Sequence, residues 1–168
     1  DEIRRVDWKV LGRTDRYYIK QFEEETNLKA YIALAASKSM AFKGDGSVSK
    51  LEYAAMLAAS LSYLMVRQQD AVGLVVYDEA LRTYMPPHAT KVYLQSILRE
   101  LHLVQPAQGT STGRALGAVA ERLSRRGLVC VFSDLFDDPN EVMSALKHFR
   151  YNQHEVILFH VLDPLERS

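Results

Sequence analysis

Nearly continuous apolar runs divide the chain and predict buried β-strands. Runs of this kind are typical of parallel strands that are covered on both faces of a sheet. They span Tyr31–Ala35, Val72–Tyr77, Leu128–Phe132 and Val156–Leu162. A shorter run over Leu81–Met85 predicts an antiparallel edge strand that ends at Pro86-Pro87, because proline has no N–H to donate to a neighbouring strand.

Amphipathic segments separate these runs and predict helices, since their apolar residues recur at spacings of three and four. Most of the predicted helices begin at a residue type that is favoured at helix starts. These starts are Ser49 with Glu52 in a capping-box pattern, Thr90, Thr112-Gly113, and Asp138 with Pro139 and a capping-box Glu141. The alternation of strands and helices predicts a doubly wound α/β domain. Its sheet is mostly parallel, with one antiparallel edge strand and helices on both faces.

Composition excludes several classes of protein. The chain has 168 residues, enough for one domain, with 48% apolar and 25% charged residues. Its 21 basic and 21 acidic residues balance, which argues against a dedicated nucleic-acid-binding protein. Cys130 is the one cysteine, so we expect a reducing, cytoplasmic environment. No apolar stretch approaches the roughly 20 residues that span a bilayer, and we see no signal peptide.

Polar side chains follow the predicted strands where each strand ends. Ser37 and Ser39 follow the first strand, Ser133 and Asp134 follow Leu128–Phe132, and Asp163 follows the last one. In open α/β sheets, ligands bind outside the carboxyl ends of the strands. Oxygen ligands suit Mg²⁺ or Mn²⁺ rather than zinc. The alternative interpretation, which spacing alone favours, is that these serines and the loop over residues 109–113 form caps and turns.

A long acidic and aromatic block runs from Tyr18 to Asn27, after Arg5-x-Asp7-Trp8 and Arg13-Thr14-Asp15. Neither helix nor strand propensity requires this block, so it is a specific signal of family membership. The chain resembles the bacterial family called domain of unknown function 58, whose members carry a von Willebrand factor A-like domain. The resemblance predicts an N-terminal family-signature arm over residues 1–27 and a von Willebrand factor A-like domain over residues 28–168. It rests on Arg5-x-Asp7-Trp8, Arg13-Thr14-Asp15, the block from Tyr18 to Asn27, Ala35-x-Ser37-x-Ser39-Met40, Gly109-Thr110, Ser133-Asp134 and Val161-Leu162-Asp163-Pro164.

The resemblance implies a metal-ion-dependent adhesion site at the carboxyl ends of the strands. An Asp-x-Ser-x-Ser motif there supplies a carboxylate and two hydroxyls, and two further loops supply a threonine and an aspartate. Ser37 and Ser39 match the hydroxyls, Thr110 the threonine and Asp134 the later aspartate. Ala35 replaces the first aspartate of the motif.

The substitution at Ala35 weakens the expected metal site. Mg²⁺ gives up its waters reluctantly and usually takes one or two carboxylates, and only Asp134 remains here. Lys38, between the serines, adds positive charge close by. We therefore expect binding of Mg²⁺ or Mn²⁺ to be weak or absent unless a partner contributes an acidic ligand.

Two functions follow as hypotheses. The first is a non-enzymatic protein-interaction module with a degenerate metal site, using Lys38, Ser111 and Thr112 as partner-binding residues. Family resemblance makes a MoxR-type AAA+ ATPase the expected partner class. The second is a Mg²⁺- or Mn²⁺-dependent hydrolase or phosphotransferase that uses Asp134 and Asp163. The scattered histidines and Cys130, which is flanked by valines, are interpreted as structural residues.

Overall fold

A five-stranded sheet lies at the centre of the computed structural model, which describes residues 28–107, 109, 113–123 and 126–167. The predicted arm over residues 1–27 lies outside this part of the chain. Each apolar run predicted as a strand contributes to the sheet. The prediction for Val156–Leu162 was wrong in two respects: the strand ends at His160, and most of its residues are exposed because it lies at an edge of the sheet and is not covered on both faces. The strands are β1 (Lys29–Ala35), β2 (Ala71–Tyr77), β3 (Leu81–His88), β4 (Leu128–Ser133) and β5 (Glu155–His160).

The strand order β3-β2-β1-β4-β5 confirms the predicted doubly wound sheet. β1 pairs in parallel with both β2 and β4, and β4 pairs in parallel with β5. β3 pairs antiparallel with β2 at one edge. The chain leaves β1 toward β2 and later leaves β4 toward β5, in opposite directions across the sheet. The crevice where the direction reverses, between the ends of β1 and β4, is where such sheets bind ligands.

The predicted end of the edge strand was wrong. β3 continues through Pro86 and Pro87 to His88, instead of stopping at Met85. Its pairing with β2 shifts register between Val72 and Leu74, so the strand bends where the prolines lie. Proline is tolerated in this position because an edge strand needs partners on one side only.

Four helices cover the sheet. They are α1 (Lys50–Arg67), α2 (Lys91–Leu103), α3 (Gly113–Arg122) and α4 (Pro139–Tyr151). α1 packs against α2, and α3 packs against α4. Because α1 and α4 connect parallel strands in opposite directions, right-handed crossovers place them on opposite faces of the sheet. Among the described helices, none combines the length and the apolar character that a bilayer crossing requires.

The described helix starts agree with the predictions in every detail except one. Ser49 and Glu52 form the predicted capping box at α1, and Thr90 caps α2. Asp138 caps α4, and Pro139 follows it as predicted. The capping-box role of Glu141 was wrong, since its carboxylate binds Arg114 at 3.0 Å while the N–H of Asp138 donates to Asp137.

Candidate functional site

The candidate site lies at the carboxyl ends of β1 and β4, which are adjacent parallel strands. Ser37 and Ser39 follow β1, and Asp134 follows β4. The residues that follow these two strands therefore lie close together at the carboxyl ends of the strands, as the sequence predicted. A backbone hydrogen bond fixes the chain there: the N–H of Lys38 donates to the carbonyl of Gly109 at 2.8 Å. That bond joins the end of β1 to the loop that precedes α3.

The two serines of the motif contact each other. Ser37 Oγ lies 2.9 Å from Ser39 Oγ, within hydrogen-bonding distance. A single 3-10 turn over Ser39–Ala41 directly follows, and its first bond runs from the N–H of Met40 to the carbonyl of Ser37. The turn folds the chain back after β1, and Met40 is buried beneath it. The predicted pair of hydroxyls thus exists as a local unit, with Ser37 buried and Ser39 partly exposed.

Ala35 has no exposed surface and lies beside a large aromatic side chain. It pairs in register with Tyr77 on β2, and Leu34 pairs with Phe132 on β4, so Ser133 is its neighbour on the other side. The hydroxyl of Tyr77 shares a hydrogen bond with the Ser133 side chain. To reach it, the phenol must cross the sheet over Ala35, because residues in register share one face. The space that a carboxylate at position 35 would need is therefore taken by Tyr77.

Burial keeps this phenol neutral. Removal from water raises the pKa of Tyr77 well above its usual value of 10.0, because the charged phenolate would lose its hydration. The hydrogen bond with Ser133 opposes that shift without reversing it. Tyr77 therefore fills the position as a neutral group, and it supplies no negative charge to replace the missing aspartate.

The acid of the site, Asp134, is paired with a lysine that the sequence interpretation did not identify. Lys50 Nζ lies 2.9 Å from Asp134 Oδ2, and the two side chains are only 3% and 4% exposed. The other oxygen, Oδ1, accepts a hydrogen bond from the N–H of Phe136 at 3.3 Å. One signal in the sequence could have indicated this pair. Lysine is unfavourable at the first position of a helix, where the helix dipole is positive, and Lys50 is the first residue of α1.

A second carboxylate reaches the same ammonium. Glu166, in the 3-10 turn over Pro164–Arg167, lies 2.7 Å from Lys50 Nζ and is 28% exposed. Burial lowers the pKa of Lys50, but its hydrogen bonds to Glu166 and Asp134, and their charges, outweigh that effect. The pKa of Lys50 therefore lies above its usual value of 10.5, and the side chain is an ammonium at neutral pH.

Asp163 has a structural position in the same region. Its carboxylate accepts hydrogen bonds from the N–H groups of Gly44 and Leu165, each at 3.0 Å. Its own N–H donates to Glu166 Oε2 at 3.0 Å. Asp163 thus fixes the C-terminal turn against the loop that precedes α1, and its two oxygens are both engaged.

The remaining predicted site residues are partly outside the described chain. Thr110, Ser111 and Thr112 all lie outside it, so their predicted roles stay predictions. Lys38 is exposed. A further acid, Glu79, lies against Gly109, because a methyl group added to that glycine would meet the Glu79 carboxylate. Sequence spacing gave no signal for Glu79, which lies in the turn between β2 and β3.

The histidine nearest to the site contacts backbone. His160 pairs in register with Ser133, but its Nε2 lies 3.0 Å from the carbonyl oxygen of Asp134. Ser133 Oγ instead accepts a hydrogen bond from the N–H of Leu135 at 3.0 Å. Cys130 is buried in β4 as predicted, and burial raises the pKa of its thiol to about 11. A thiol with this pKa is a structural hydrophobe rather than a nucleophile at neutral pH.

The described residues do not fit a divalent cation. The two serines offer neutral oxygens, position 35 offers a methyl group, and the Asp134 carboxylate already binds an ammonium. Among the residues whose positions are described, no group of three or more His, Cys, Asp or Glu side chains is placed to hold a metal ion. Mg²⁺ and Mn²⁺ favour carboxylate ligands that are free to bind them.

Comparison with known proteins identifies the family of the chain. The sequence profile described as protein of unknown function DUF58 matches residues 1–168. This chain belongs to the DUF58 family. The match covers both the N-terminal block and the strand-end motif.

Relatives of this DUF58 chain are found in mycobacteria. The uncharacterized proteins Rv1480 of Mycobacterium tuberculosis and Mb1516 of Mycobacterium bovis are each 27% identical to it over 167 residues. The match covers 98% of this chain and 52% of each relative. The DUF58 chain thus spans about half the length of these curated relatives.

Solved structures confirm the von Willebrand factor A-like fold. An aerotolerance-related membrane protein from Bacteroides fragilis has a TM-score of 0.65 and 26% identity, over 80% of this chain and 67% of that one. BatB from Bacteroides thetaiotaomicron has a TM-score of 0.63 and 23% identity, over 78% and 65%. The vWF domain of the pilus tip protein Mfa5 from Porphyromonas gingivalis has a TM-score of 0.52 and 16% identity, over 65% and 38%.

Proposed function

We propose that this DUF58 domain is a non-enzymatic protein-interaction module that binds its partner at the carboxyl ends of β1 and β4. Its metal-ion-dependent adhesion site is degenerate, so a tightly held Mg²⁺ or Mn²⁺ is not part of the interaction. In this proposal the partner instead meets the partly exposed Ser39, the exposed Lys38 and the residues predicted from the sequence, Ser111 and Thr112.

The observation that carries this proposal is the serine pair. Ser37 and Ser39 keep their hydroxyls 2.9 Å apart at the edge of the sheet, beside the exposed Lys38. A buried methyl group at Ala35 and the phenol of Tyr77 take the position of the motif's first acid. The site therefore offers hydrogen-bonding groups and a positive charge to a partner. These groups suit a carboxylate of the partner, either on an acidic side chain or at its C-terminus.

A MoxR-type AAA+ ATPase is the partner class that we propose. This choice rests on the family resemblance, in which members often accompany such ATPases. We also propose a location in the bacterial cytoplasm, where an ATPase of that class would find its nucleotide. A von Willebrand factor A-like fold does not fix a function by itself, so the partner needs a direct binding test.

No observation on the described residues favours the alternative of a metal-dependent hydrolase or phosphotransferase. That chemistry needs carboxylates that are close together and free to bind metal. Asp134 is paired with Lys50, and the oxygens of Asp163 accept backbone hydrogen bonds. We therefore retain the interaction module as the single proposal.

The test is binding of a MoxR-type ATPase from the same bacterium to the immobilised protein, measured by biolayer interferometry. We expect Lys38→Glu to weaken binding about tenfold, equal to about 1.4 kcal/mol, because it reverses a charge within the proposed surface. The matched control is Arg126→Glu. Arg126 is exposed and precedes β4, so it lies at the amino ends of the parallel strands, away from the proposed surface, and reversing its charge should leave affinity unchanged. No binding by the unaltered protein, or equal losses in both variants, would contradict the proposal.

A further inference from the structure

A buried lysine occupies the region of the fold where a metal site would need a free acid. We infer that the Lys50 ammonium is the resident cation of this strand-end site, and that it makes the site independent of divalent metal. The inference concerns the charge balance inside the domain, and it stands whether or not the proposed partner binds there.

The contacts of the ammonium are those of a built cation site. Lys50 Nζ lies 2.9 Å from Asp134 and 2.7 Å from Glu166, distances typical of charge-assisted hydrogen bonds. The ring of Phe42 lies 5.7 Å from the same nitrogen, within the range of a cation–π interaction. Two carboxylates thus bind the ammonium, and an aromatic ring approaches it as well.

The positive charge of Lys50 is unfavourable at the start of its helix. The two carboxylates are therefore needed to stabilise this buried charge. At the start of an 18-residue helix, the unpaired N–H groups favour negative charge and disfavour an ammonium. Burial adds a desolvation penalty. Two acids from distant parts of the chain, 84 and 116 residues away, offset both effects.

A divalent cation would have to displace this ammonium or share its ligand. Two positive centres on one carboxylate would lie within a few ångströms of each other and repel strongly in a region with little water. Displacement would leave the buried ammonium with Glu166 as its one carboxylate partner, and breaking one half of a buried charge cluster is strongly destabilising. The missing acid at Ala35 and the lysine at position 50 therefore act in the same direction.

Lys50 also connects three segments of the fold. It joins the start of α1 to the end of β4 through Asp134, and to the C-terminal turn through Glu166. The same turn is fixed to the loop before α1 by Asp163 and Gly44, at 3.0 Å. In proteins that hold a metal, the ion itself often makes such links between segments.

Thermal unfolding of the unaltered protein with EDTA and with millimolar MnCl2 tests the inference. We expect the same Tm in both conditions. Lys50→Met, which has a similar length and no charge, should lower the Tm in EDTA by roughly 6–12 °C. MnCl2 should then restore part of the loss, because two carboxylates are left without a cation. The control Lys50→Arg keeps the positive charge and should lose less than the methionine variant.

Two results would overturn the inference. One is a rise in the Tm of the unaltered protein on adding MnCl2, and the other is a methionine variant that melts like the unaltered protein. If that variant does not fold, paramagnetic NMR on the unaltered protein gives the answer. Mn²⁺ should leave the amide signals of Ser37, Ser39 and Asp134 unbroadened, and selective broadening of these signals would overturn the inference.

Discussion

The ends of β1 and β4 hold their polar groups in different ways. At the end of β1, two neutral hydroxyls hydrogen-bond to each other at 2.9 Å, and one of them is partly exposed. At the end of β4, the buried Asp134 carboxylate is paired with an equally buried ammonium. The β1 end has ligand atoms but no negative charge, and the β4 end has a negative charge that is already balanced. Under our proposal of a degenerate metal site, the two strand ends oppose metal binding in two independent ways, by the absence of an acid and by the presence of an internal cation.

This difference predicts unequal contributions to stability. A buried charge pair resists the loss of either member, because the other is left uncompensated. A hydroxyl pair near the surface can replace its lost bond with water. The end of β4 should therefore carry most of the stability of the site, and the end of β1 should be more tolerant of change.

Removal of the buried acid should have the largest effect. Asp134→Ala leaves the Lys50 ammonium with Glu166 alone, and we expect it to lower the free energy of unfolding by about 3–5 kcal/mol. Urea unfolding monitored by circular dichroism measures this loss. Asp138→Ala is the matched control, since it removes an exposed helix cap and should lower stability by about 1 kcal/mol. Similar losses in the two variants would mean that the buried pair contributes little.

An acid at position 35 should be the next most harmful change. Ala35→Asp places a carboxylate at a position with no exposed surface, beside the phenol of Tyr77, and should lower the free energy of unfolding by about 3 kcal/mol. Ala35→Asn has the same shape without the charge, so its smaller loss would separate desolvation from crowding. Calorimetric titration of MgCl2 should detect no tight binding by the aspartate variant. A stable aspartate variant that binds Mg²⁺ tightly would show that Ala35 alone disables the site.

Removal of one hydroxyl should have a modest effect. Ser37→Ala deletes the hydrogen bond to Ser39, and we expect a loss of about 1 kcal/mol in the free energy of unfolding. Ser39→Ala should lose at least as much, because it leaves the buried Ser37 hydroxyl without this partner, whereas the partly exposed Ser39 can bind water instead. Thermal melts of both variants provide the comparison. A loss from Ser37→Ala as large as that from Asp134→Ala would remove the distinction between the two strand ends.

A rise in pH from neutral to about 10 should have the smallest effect on the stability that Lys50 contributes. The pKa of Lys50 is raised on folding, so the stability it contributes is fully present below 10.5 and is lost as pH rises through the folded value. The difference in unfolding free energy between the unaltered protein and Lys50→Met should therefore stay constant from neutral pH to about 10. A difference that shrinks well below that pH would mean that the lysine is not held as an ammonium.

The strands and helix starts could be predicted because local chemistry determines them. Parallel strands buried on both faces need continuous apolar runs, and the runs around Ile32, Val75 and Val131 are of this kind. Ser49 and Thr90 bind N–H groups three residues away, so their capping role follows from the local sequence. The end of β3 was missed because proline normally stops a strand, and its tolerance at Pro86 and Pro87 depends on the edge position.

The charge balance of the site depends on residues that are distant in the sequence. A lysine at a helix start is normally interpreted as an exposed residue, and the partners of Lys50 are 84 and 116 residues away. The obstruction at Ala35 depends on which residue of β2 lies in register with it, and only the sheet pairing identifies Tyr77. Spacing placed Ser37 and Ser39 correctly because they are two residues apart within one turn.

A crystal of the protein soaked in MnCl2 and measured at the manganese absorption edge would test the central claim most directly. The account predicts no anomalous peak at the ends of β1 and β4, with Lys50 Nζ remaining in hydrogen-bond contact with Asp134. A manganese ion bound by Ser37, Ser39 and Asp134, with the lysine turned away from the carboxylate, would contradict it.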